Sequence, residues 1–97
     1  MYAVTRQYRF NPRDAAELDR MVAEEFVPLI RKTPGFVSYV WIDTGHGSGA
    51  SVGVYRDKAG AEESVRVAAE YVRTRMSAIL HEKPVVLVGA VKAHATG

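Results

Sequence analysis

The sequence predicts an α+β domain in which strands and helices follow the order β-α-β-β-α-β. Three observations lead to this prediction. Apolar side chains alternate along residues 2–10, two long segments carry apolar residues at spacings of three and four, and a nearly continuous apolar run fills residues 85–91. This order is the ferredoxin-like arrangement, one antiparallel sheet with both helices on one face. The 97 residues suffice for one domain, spanning 1–97.

The composition, 47% hydrophobic and 25% charged, is ordinary for a globular domain and too apolar for a disordered chain. The chain has no cysteine, which excludes disulfides, thiolate zinc sites, iron–sulfur clusters and a cysteine nucleophile. The net charge is only +2, so there is no basic tail. Residues 1–9 lack the apolar core of a signal peptide, and no stretch is long enough to span a bilayer. We therefore expect a cytoplasmic protein without a membrane partner.

The first half of the chain predicts one strand and one long helix. Residues 2–10 read as a strand, and Arg6 interrupts its otherwise apolar face. Asn11 is a suitable cap for a helix over about Pro12–Lys32, inside which Pro28 removes one backbone donor and predicts a kink. The strand's apolar face carries Tyr2, Val4, Tyr8 and Phe10. The helix's apolar stripe carries Ala15, Leu18, Val22, Phe26, Leu29 and Ile30.

The second half predicts a hairpin, a helix and a last strand. Residues 35–43 and 50–56 read as strands joined by a glycine-rich turn over 43–49. Asp57 caps a helix whose apolar stripe continues to Leu80. Residues 85–91 are apolar at nearly every position, which favours a central strand buried on both faces. In the second strand, period-two alternation sets Val37, Tyr39 and Trp41 opposite Phe36, Val40 and Ile42.

One face of the sheet is left without a helix to cover it. Two helices on one face of a four-stranded sheet leave the other face open, yet strands 2 and 4 are apolar on both sides. A large exposed apolar face marks an interface or a ligand cavity. A lone domain of this size is also only modestly stable. We therefore expect a homodimer.

Two segments carry a resemblance to a known family. Phe26–Phe36 closes the first helix with Thr33-Pro34-Gly35-Phe36, and Pro84–Val91 follows a helix that begins after Tyr55–Lys58. Together they resemble the antibiotic-biosynthesis monooxygenase domain of the dimeric α/β-barrel superfamily, over essentially the whole chain. The resemblance implies a homodimer in which two sheets face each other in a barrel. It also implies a cavity between sheet and helices or within the barrel.

Members of that superfamily include cofactor-free quinone-forming monooxygenases and haem-degrading enzymes. The haem-degrading members use an asparagine on the first strand and a tryptophan and a histidine on the second helix. This chain offers Arg6 or Gln7 on the strand, and Ser64 with Met76 (or Thr74) at the helix positions. These differences from the haem-degrading members argue against haem degradation. We therefore predict no cofactor.

Arg6 and five aromatic residues are the candidate site. Arg6 either points into a cavity or pairs with a carboxylate across the sheet. In an aromatic cavity it would hold an enolate or phenolate, the anion that cofactor-free oxygenation of a phenol must stabilise. We assign Arg6, Trp41 and Tyr55 as candidate catalytic residues. Tyrosine and tryptophan suit a site for a flat, partly polar molecule, although packing in a dimer interface explains them equally. The candidate substrate-binding residues are Tyr8, Tyr39 and Tyr71.

The remaining motifs argue against other functions. His46, His81 and His94 have no metal-ligand spacing, so no metal site is predicted. Strand 3, residues 50–55, lacks the aromatic and basic pattern of an RNA-recognition motif, so no nucleic-acid partner is expected. Two hypotheses result. One is a cofactor-independent monooxygenase acting on a small aromatic or polyketide-type substrate, and the alternative is a non-catalytic ligand-binding or structural homodimer of the same fold.

Overall fold

The computed structural model describes residues 1–80 and 82–97. It confirms the predicted α+β element order. Short 3₁₀ (Pro12–Asp14) and π-helical (Val22–Phe26) turns flank α1 in the first helical segment. The strands are β1 (Tyr2–Arg9), β2 (Phe36–Gly45), β3 (Ser48–Tyr55) and β4 (Val85–Ala90), and the helices are α1 (Ala15–Met21), α2 (Val27–Ile30) and α3 (Lys58–Arg75).

The four strands form one antiparallel sheet in the order β2-β3-β1-β4. Cross-strand partners lie on the same face of a sheet, so the register defines rows of side chains. One row on the helix-covered face runs Trp41–Ser51–Arg6–Val86. The neighbouring row on the open face runs Val40–Val52–Thr5–Leu87. The alternation predicted for β1 and β3 is confirmed, with Val4 and Tyr55 buried among the helices.

The prediction of a buried central position for the last strand is wrong. β4 pairs only with β1, at the edge of the sheet, and its residues Val85–Ala90 are all exposed. The apolar run instead places apolar side chains on both sides of this edge strand. Val86 and Val88 lie on the helix-covered side, opposite Arg6 and Val4, whereas Leu87 lies on the open side opposite Thr5. An apolar edge strand of this kind is a surface that another chain is suited to cover.

A bulge in β2 overturns part of its predicted alternation. The register shifts between Phe36 and Ser38, so Val37 is an extra residue on β2. Phe36 therefore lies on the same face as Tyr39, 6.0 Å from the Tyr55 ring, and not on the face of Val40. A period-two pattern has no signal for an inserted residue. The open face of β2 retains Val40 and Ile42.

The first helical segment is not one continuous α-helix. Between α1 and α2, residues 22–26 form a π-helical turn in which the Val27 N–H donates to the Val22 carbonyl. Pro28 lacks an N–H, and its ring would crowd the carbonyl of Glu24 in a regular α-helix. The wider turn avoids this clash and is the form that the predicted distortion takes. The segment ends at Ile30, two residues before the predicted Lys32.

The second helix is shorter than its apolar stripe. α3 ends at Arg75, and the chain then turns so that Leu80 forms a β-bridge with Phe10. Met76 and Leu80 are still buried in the core, but from this turn and not from the helix. Apolar side chains stay buried beyond the end of α3, so the apolar stripe predicts a helix that is longer than the one observed. The prediction placing His81 near the helix end lies outside the described residues.

The hairpin between β2 and β3 is tighter than the predicted turn. His46 and Gly47, at φ of 57° and 77°, form a two-residue connection in the left-handed region. The Gly47 carbonyl accepts a hydrogen bond from the Phe10 N–H at 2.9 Å. A Cβ on Gly47 would lie only 2.2 Å from the Phe10 carbonyl oxygen, so glycine is required here. The hairpin tip is therefore packed against the end of β1.

Candidate functional site

A cavity of about 450 Å³ lies between α3 and the β1–β4 side of the sheet. Its volume is in the range of small-molecule sites. Most of its lining is apolar, and its three charged groups, Arg6, Arg73 and Lys83, are all cationic. No acidic residue lines it within the described part of the chain. The other lining residues are Val65, Ala68, Ala69, Val72, Pro84 and Val86.

The sequence of α3 makes room for this cavity. Val65, Ala68, Ala69, Val72 and Arg73 recur at the spacings that place side chains on one helix face. The two alanines project only a methyl group each, so the helix does not fill the space above β1 and β4. The sheet contributes the opposite wall through residues that are far apart in sequence but adjacent in register.

Arg6 is a buried cation without an anionic partner. Its side chain leaves β1 on the helix-covered face, and the residue is only 2% exposed. The Nη2 group donates a hydrogen bond to the Ser64 carbonyl at 3.0 Å, and Nη1 has no hydrogen-bond partner. Among the described residues, no carboxylate forms an ion pair with it. A buried charge left unpaired is costly, so this site is suited to an anion supplied from outside the chain.

Two buried hydroxyl groups without partners lie near Arg6. Ser51 is the register partner of Arg6 on β3, and its Oγ has no hydrogen-bond partner. Tyr55 lies on the same face of β3, and its ring covers Gly53, with the hydroxyl oxygen 2.8 Å from where a Gly53 Cβ would lie. Among the described residues, that hydroxyl makes no hydrogen bond of ordinary geometry, although Ser64 lies close enough to oppose the rise in its pKa that burial causes. The sequence thus places three polar groups with unused hydrogen-bonding capacity on the buried side of two adjacent strands.

The buried tyrosines are proton donors at neutral pH. Burial raises the pKa of Tyr8, Tyr39 and Tyr55, and the positive charge of Arg6 opposes this rise at each of them. A hydroxyl whose pKa lies above its usual value of 10.0 keeps its proton at pH 7. Tyr55 can therefore donate a hydrogen bond to an anion but is not a general base.

Trp41 and Tyr8 lie on the helix-covered face but do not line the cavity. The Trp41 Nε1 donates a hydrogen bond to Asp19 Oδ1 at 2.8 Å, which ties β2 to α1. The Trp41 ring meets the Tyr8 ring edge-on at a centroid distance of 5.4 Å. It also covers Gly49, where a Cβ would lie 2.7 Å from the indole. These contacts stabilise the β2 side of the sheet.

Tyr71 belongs to a different contact, between α3 and the π-helical turn. Its hydroxyl donates a hydrogen bond to Glu25 Oε1 at 2.9 Å, and its ring packs 5.5 Å from that of Phe26. Burial and the neighbouring Glu25 carboxylate raise the pKa of Tyr71 to about 12. Tyr71 and Glu25 line a separate groove on the outer side of α3. The predicted site residues therefore do not form one site. Arg6 lines the cavity, Tyr71 lines this groove, and the others lie outside the cavity lining.

Glu25 is expected to make the stability of the fold depend on pH. Hydrogen bonds from Arg75, Tyr71 and Arg20 lower its pKa from 4.5 to about 2. A carboxyl group with a lowered folded-state pKa stabilises the fold above its unfolded-state pKa, and this contribution is lost as the pH falls through the folded value. Glu25→Gln should therefore be less stable than the wild type at pH 7, and the difference should shrink between about pH 4.5 and 2.

Urea denaturation of both proteins across this pH range measures that difference. Glu82→Gln is the control for a general effect of charge, because Glu82 is exposed and forms no ion pair with the described residues. A constant difference between wild type and Glu25→Gln down to pH 2 would contradict the role assigned to Glu25.

Sequence reasoning missed most of the cavity lining. Val65 and Val72 belong to the apolar stripe predicted for the second helix, which gives no sign of a cavity, and no motif identifies Arg73 as a site residue. Lys83 and Val86 join the site because β4 pairs with β1 next to Arg6, which the sequence alone does not specify. A cation interrupting an apolar strand face was the one sequence signal that pointed to the cavity.

The histidines do not assemble a metal site in the described part of the chain. Residues 1–80 and 82–97 contain no group of three or more histidine, cysteine or acidic residues placed to hold an ion. His46 occupies the hairpin tip and His94 the exposed C-terminal segment. In the same ranges, no helix is both long and apolar enough to cross a membrane.

No family model and no curated protein matches the sequence. Solved structures do match. A protein of unknown function from Nitrosomonas europaea, NE2512, superimposes with a TM-score of 0.83 at 17% identity, covering 99% of this chain and 93% of that chain. The ActVA-Orf6 monooxygenase of Streptomyces coelicolor, in complex with nanaomycin D, superimposes with a TM-score of 0.77 at 13% identity, covering 99% and 91%.

A third match is SnoaB from Streptomyces nogalater, a cofactor-independent oxygenase. It has a TM-score of 0.77 and 12% identity, and the alignment covers 96% of this chain and 94% of that chain. At such identities the comparison establishes the fold and not the activity. The ferredoxin-like sheet and helices described above are shared with these monooxygenases over nearly their whole length. This chain therefore has the fold of the antibiotic-biosynthesis monooxygenases.

Proposed function

We propose that this protein is a cofactor-independent monooxygenase whose substrate, a small aromatic or polyketide-type molecule, reacts as an anion held by Arg6. The observation that carries the proposal is the buried Arg6 guanidinium, which faces an apolar cavity and lacks a carboxylate partner. Two proteins with this fold, ActVA-Orf6 and SnoaB, are a monooxygenase and a cofactor-independent oxygenase. Their activities support the reaction class and leave the substrate open.

The reaction that fits this site converts an activated aromatic methylene into a carbonyl group. The substrate loses a proton and becomes an enolate, and its carbon then gives electrons to dioxygen as a C–O bond forms. The resulting peroxide takes up a proton, and the O–O bond breaks as the second C–H proton leaves. One oxygen atom remains as the carbonyl and the other departs as water. The substrate supplies all the electrons, so no external reductant is needed.

The chain's part in this reaction is to favour the anion over the neutral substrate. A buried guanidinium interacts more strongly with a negative oxygen than an exposed one does, because fewer water molecules screen its charge. Tyr55 keeps its proton and lies close enough to Arg6 for the two groups to interact electrostatically, so it would support the Arg6 end of the site from the β3 side. We propose Arg6 and Tyr55 as catalytic residues, with Tyr39 supporting them. Catalytic or binding roles for Trp41, Tyr8 and Tyr71 stay predictions.

We also propose that the protein is a homodimer formed through its open sheet face. Val40, Val52 and Leu87 lie in one row on this face, and each exposes at least two fifths of its surface. The row beside it is Ile42–Ala50–Gln7–Val85. Neither row contains a charged residue, so two copies can meet without repulsion between like charges. A second copy of the chain is the partner that such a self-complementary face fits.

Oxygen consumption tests the enzymatic proposal. Wild-type protein is incubated with hydroxylated anthrones, which carry the activated methylene, and uptake is recorded with an oxygen electrode. We expect uptake that exceeds the uncatalysed rate and that is lost in Arg6→Met. Trp41→Phe in the same assay tests the predicted role of Trp41. Arg6-dependent binding without oxygen consumption would contradict the monooxygenase proposal and favour the non-catalytic ligand-binding homodimer.

A further inference from the structure

The cavity has a second cationic end, remote from Arg6. The α3 residues that face it extend from Val65 to Arg73, which at 1.5 Å per residue spans about 12 Å. Ser64, whose carbonyl accepts a hydrogen bond from Arg6, immediately precedes Val65 at one end of this row of residues. Arg73 is at the other end. Lys83 precedes Val86, the β4 partner of Arg6, by three residues, or roughly 10 Å of extended chain. Arg73 and Lys83 therefore both line the cavity away from the positions next to Arg6. Arg73 lies more than two helical turns beyond Ser64, and Lys83 lies three residues before Val86.

The two cations at this end differ in how they are paired. Arg73 forms an exposed ion pair in which its Nη2 group donates to both carboxylate oxygens of Glu70, at 2.7 and 2.8 Å. Lys83 forms no ion pair with any residue that the structure describes. Between the two ends the wall is made of valine, alanine and proline side chains. The cavity is thus apolar in its middle and positive at both ends.

We infer that the substrate carries a second acidic group, a carboxylate, which Lys83 binds with help from Arg73 while the aromatic part lies against α3. This inference rests on the proposed function and names the substrate class: an aromatic molecule with acidic groups at opposite ends. Arg6 takes the ionised group at the buried end. Lys83 then acts as a specificity-determining residue, because it contacts a part of the substrate that does not react.

Calorimetric titration with two simple probes tests this inference. The probes are a naphthoic acid, which has one carboxylate, and a naphthalene dicarboxylic acid with carboxylates on opposite rings. Wild-type protein should bind the dicarboxylate about fivefold more tightly, the size expected for one partly exposed ion pair. Lys83→Gln should remove this preference, because it should lower the affinity for the dicarboxylate by more than the affinity for the monocarboxylate. The preference should also weaken as salt is added.

Lys32→Gln is the matched control, since Lys32 is an exposed lysine outside the cavity lining. It should retain the wild-type preference for the dicarboxylate. Equal affinities for the two probes in the wild type, or an unchanged preference in Lys83→Gln, would overturn the inference. In that case, monocarboxylate binding that still depends on Arg6 would leave the anion cavity intact. Monocarboxylate binding that does not depend on Arg6 would instead contradict the proposed function.

Discussion

Replacing Arg6 with methionine should make the fold more stable and abolish the binding of aromatic anions. Methionine is unbranched, flexible and uncharged, so it can occupy much of the buried space without an unpaired cation. Apolar replacement of buried ionic groups has stabilised proteins by about 1–4 kcal/mol, and we expect about 1–3 kcal/mol here. Arg6 donates only to the Ser64 carbonyl, and its Nη1 is unpaired, so little hydrogen bonding is lost. Such a gain in stability together with a loss of binding is typical of a functional site.

Chemical denaturation and calorimetry with the naphthoic acid probe measure the two effects. Arg13→Met is the control, because Arg13 is an exposed arginine in the 3₁₀ turn, outside the cavity lining and the open sheet face, and it should change neither quantity appreciably. Arg6→Lys keeps the charge but loses the planar donor group, and it should bind more weakly than the wild type. If Arg6→Met is strongly destabilised, Arg6 is a structural residue and the cavity does not depend on it for function.

Leu87→Asp should convert the protein to a monomer. Leu87 lies on β4 at the end of the open-face row and is 63% exposed in the isolated chain. In the proposed dimer both copies of Leu87 become buried, which contributes about 1.5–3 kcal/mol per side chain. Aspartate removes this contribution and adds two charges to an apolar interface. We therefore expect the dimer dissociation constant to rise by roughly a thousandfold or more.

Analytical ultracentrifugation at micromolar concentrations measures this change. Leu29→Asp is the control, because Leu29 is a comparably exposed leucine, at 42%, on the helical layer and not on the sheet. It should leave the dimer intact. A monomeric wild-type protein, or a Leu87→Asp variant that still sediments as a dimer, would rule out the open face as the interface.

The sequence predicted the layers of the fold better than the positions within them. Alternation in β1 identified the buried face correctly because one side of that strand packs on helices along its whole length. The apolar run of β4 showed that both of its sides are apolar but not that it lies at the sheet edge. The bulge at Val37 also has no counterpart in a period-two pattern. Positions in a sheet depend on contacts between distant segments, which local periodicity does not encode.

The candidate site likewise contains a residue that the sequence identified and others that it did not. Arg6 was identifiable because a cation in an otherwise apolar strand face needs either a cavity or a carboxylate partner across the sheet. Trp41 was selected by residue type, and the structure places its indole against Asp19 and Tyr8, outside the cavity lining. Lys83 carried no sequence signal at all, because its closeness to the cavity follows from the pairing of β4 with β1. The sequence therefore identified the charged residue Arg6, but it did not identify the residues that form the cavity walls around it.

The pKa of a naphthol bound in the cavity tests most directly whether Arg6 holds an aromatic anion. The absorbance of naphthol changes when it ionises, so a pH titration of the complex reports this pKa. Burial in an apolar cavity alone would raise it, whereas a neighbouring guanidinium lowers it. We predict that binding to the wild type lowers the naphthol pKa by about one unit or more, and that binding to any cavity left in Arg6→Met raises it. An unchanged or raised pKa in the wild-type complex would contradict the role of Arg6 proposed here.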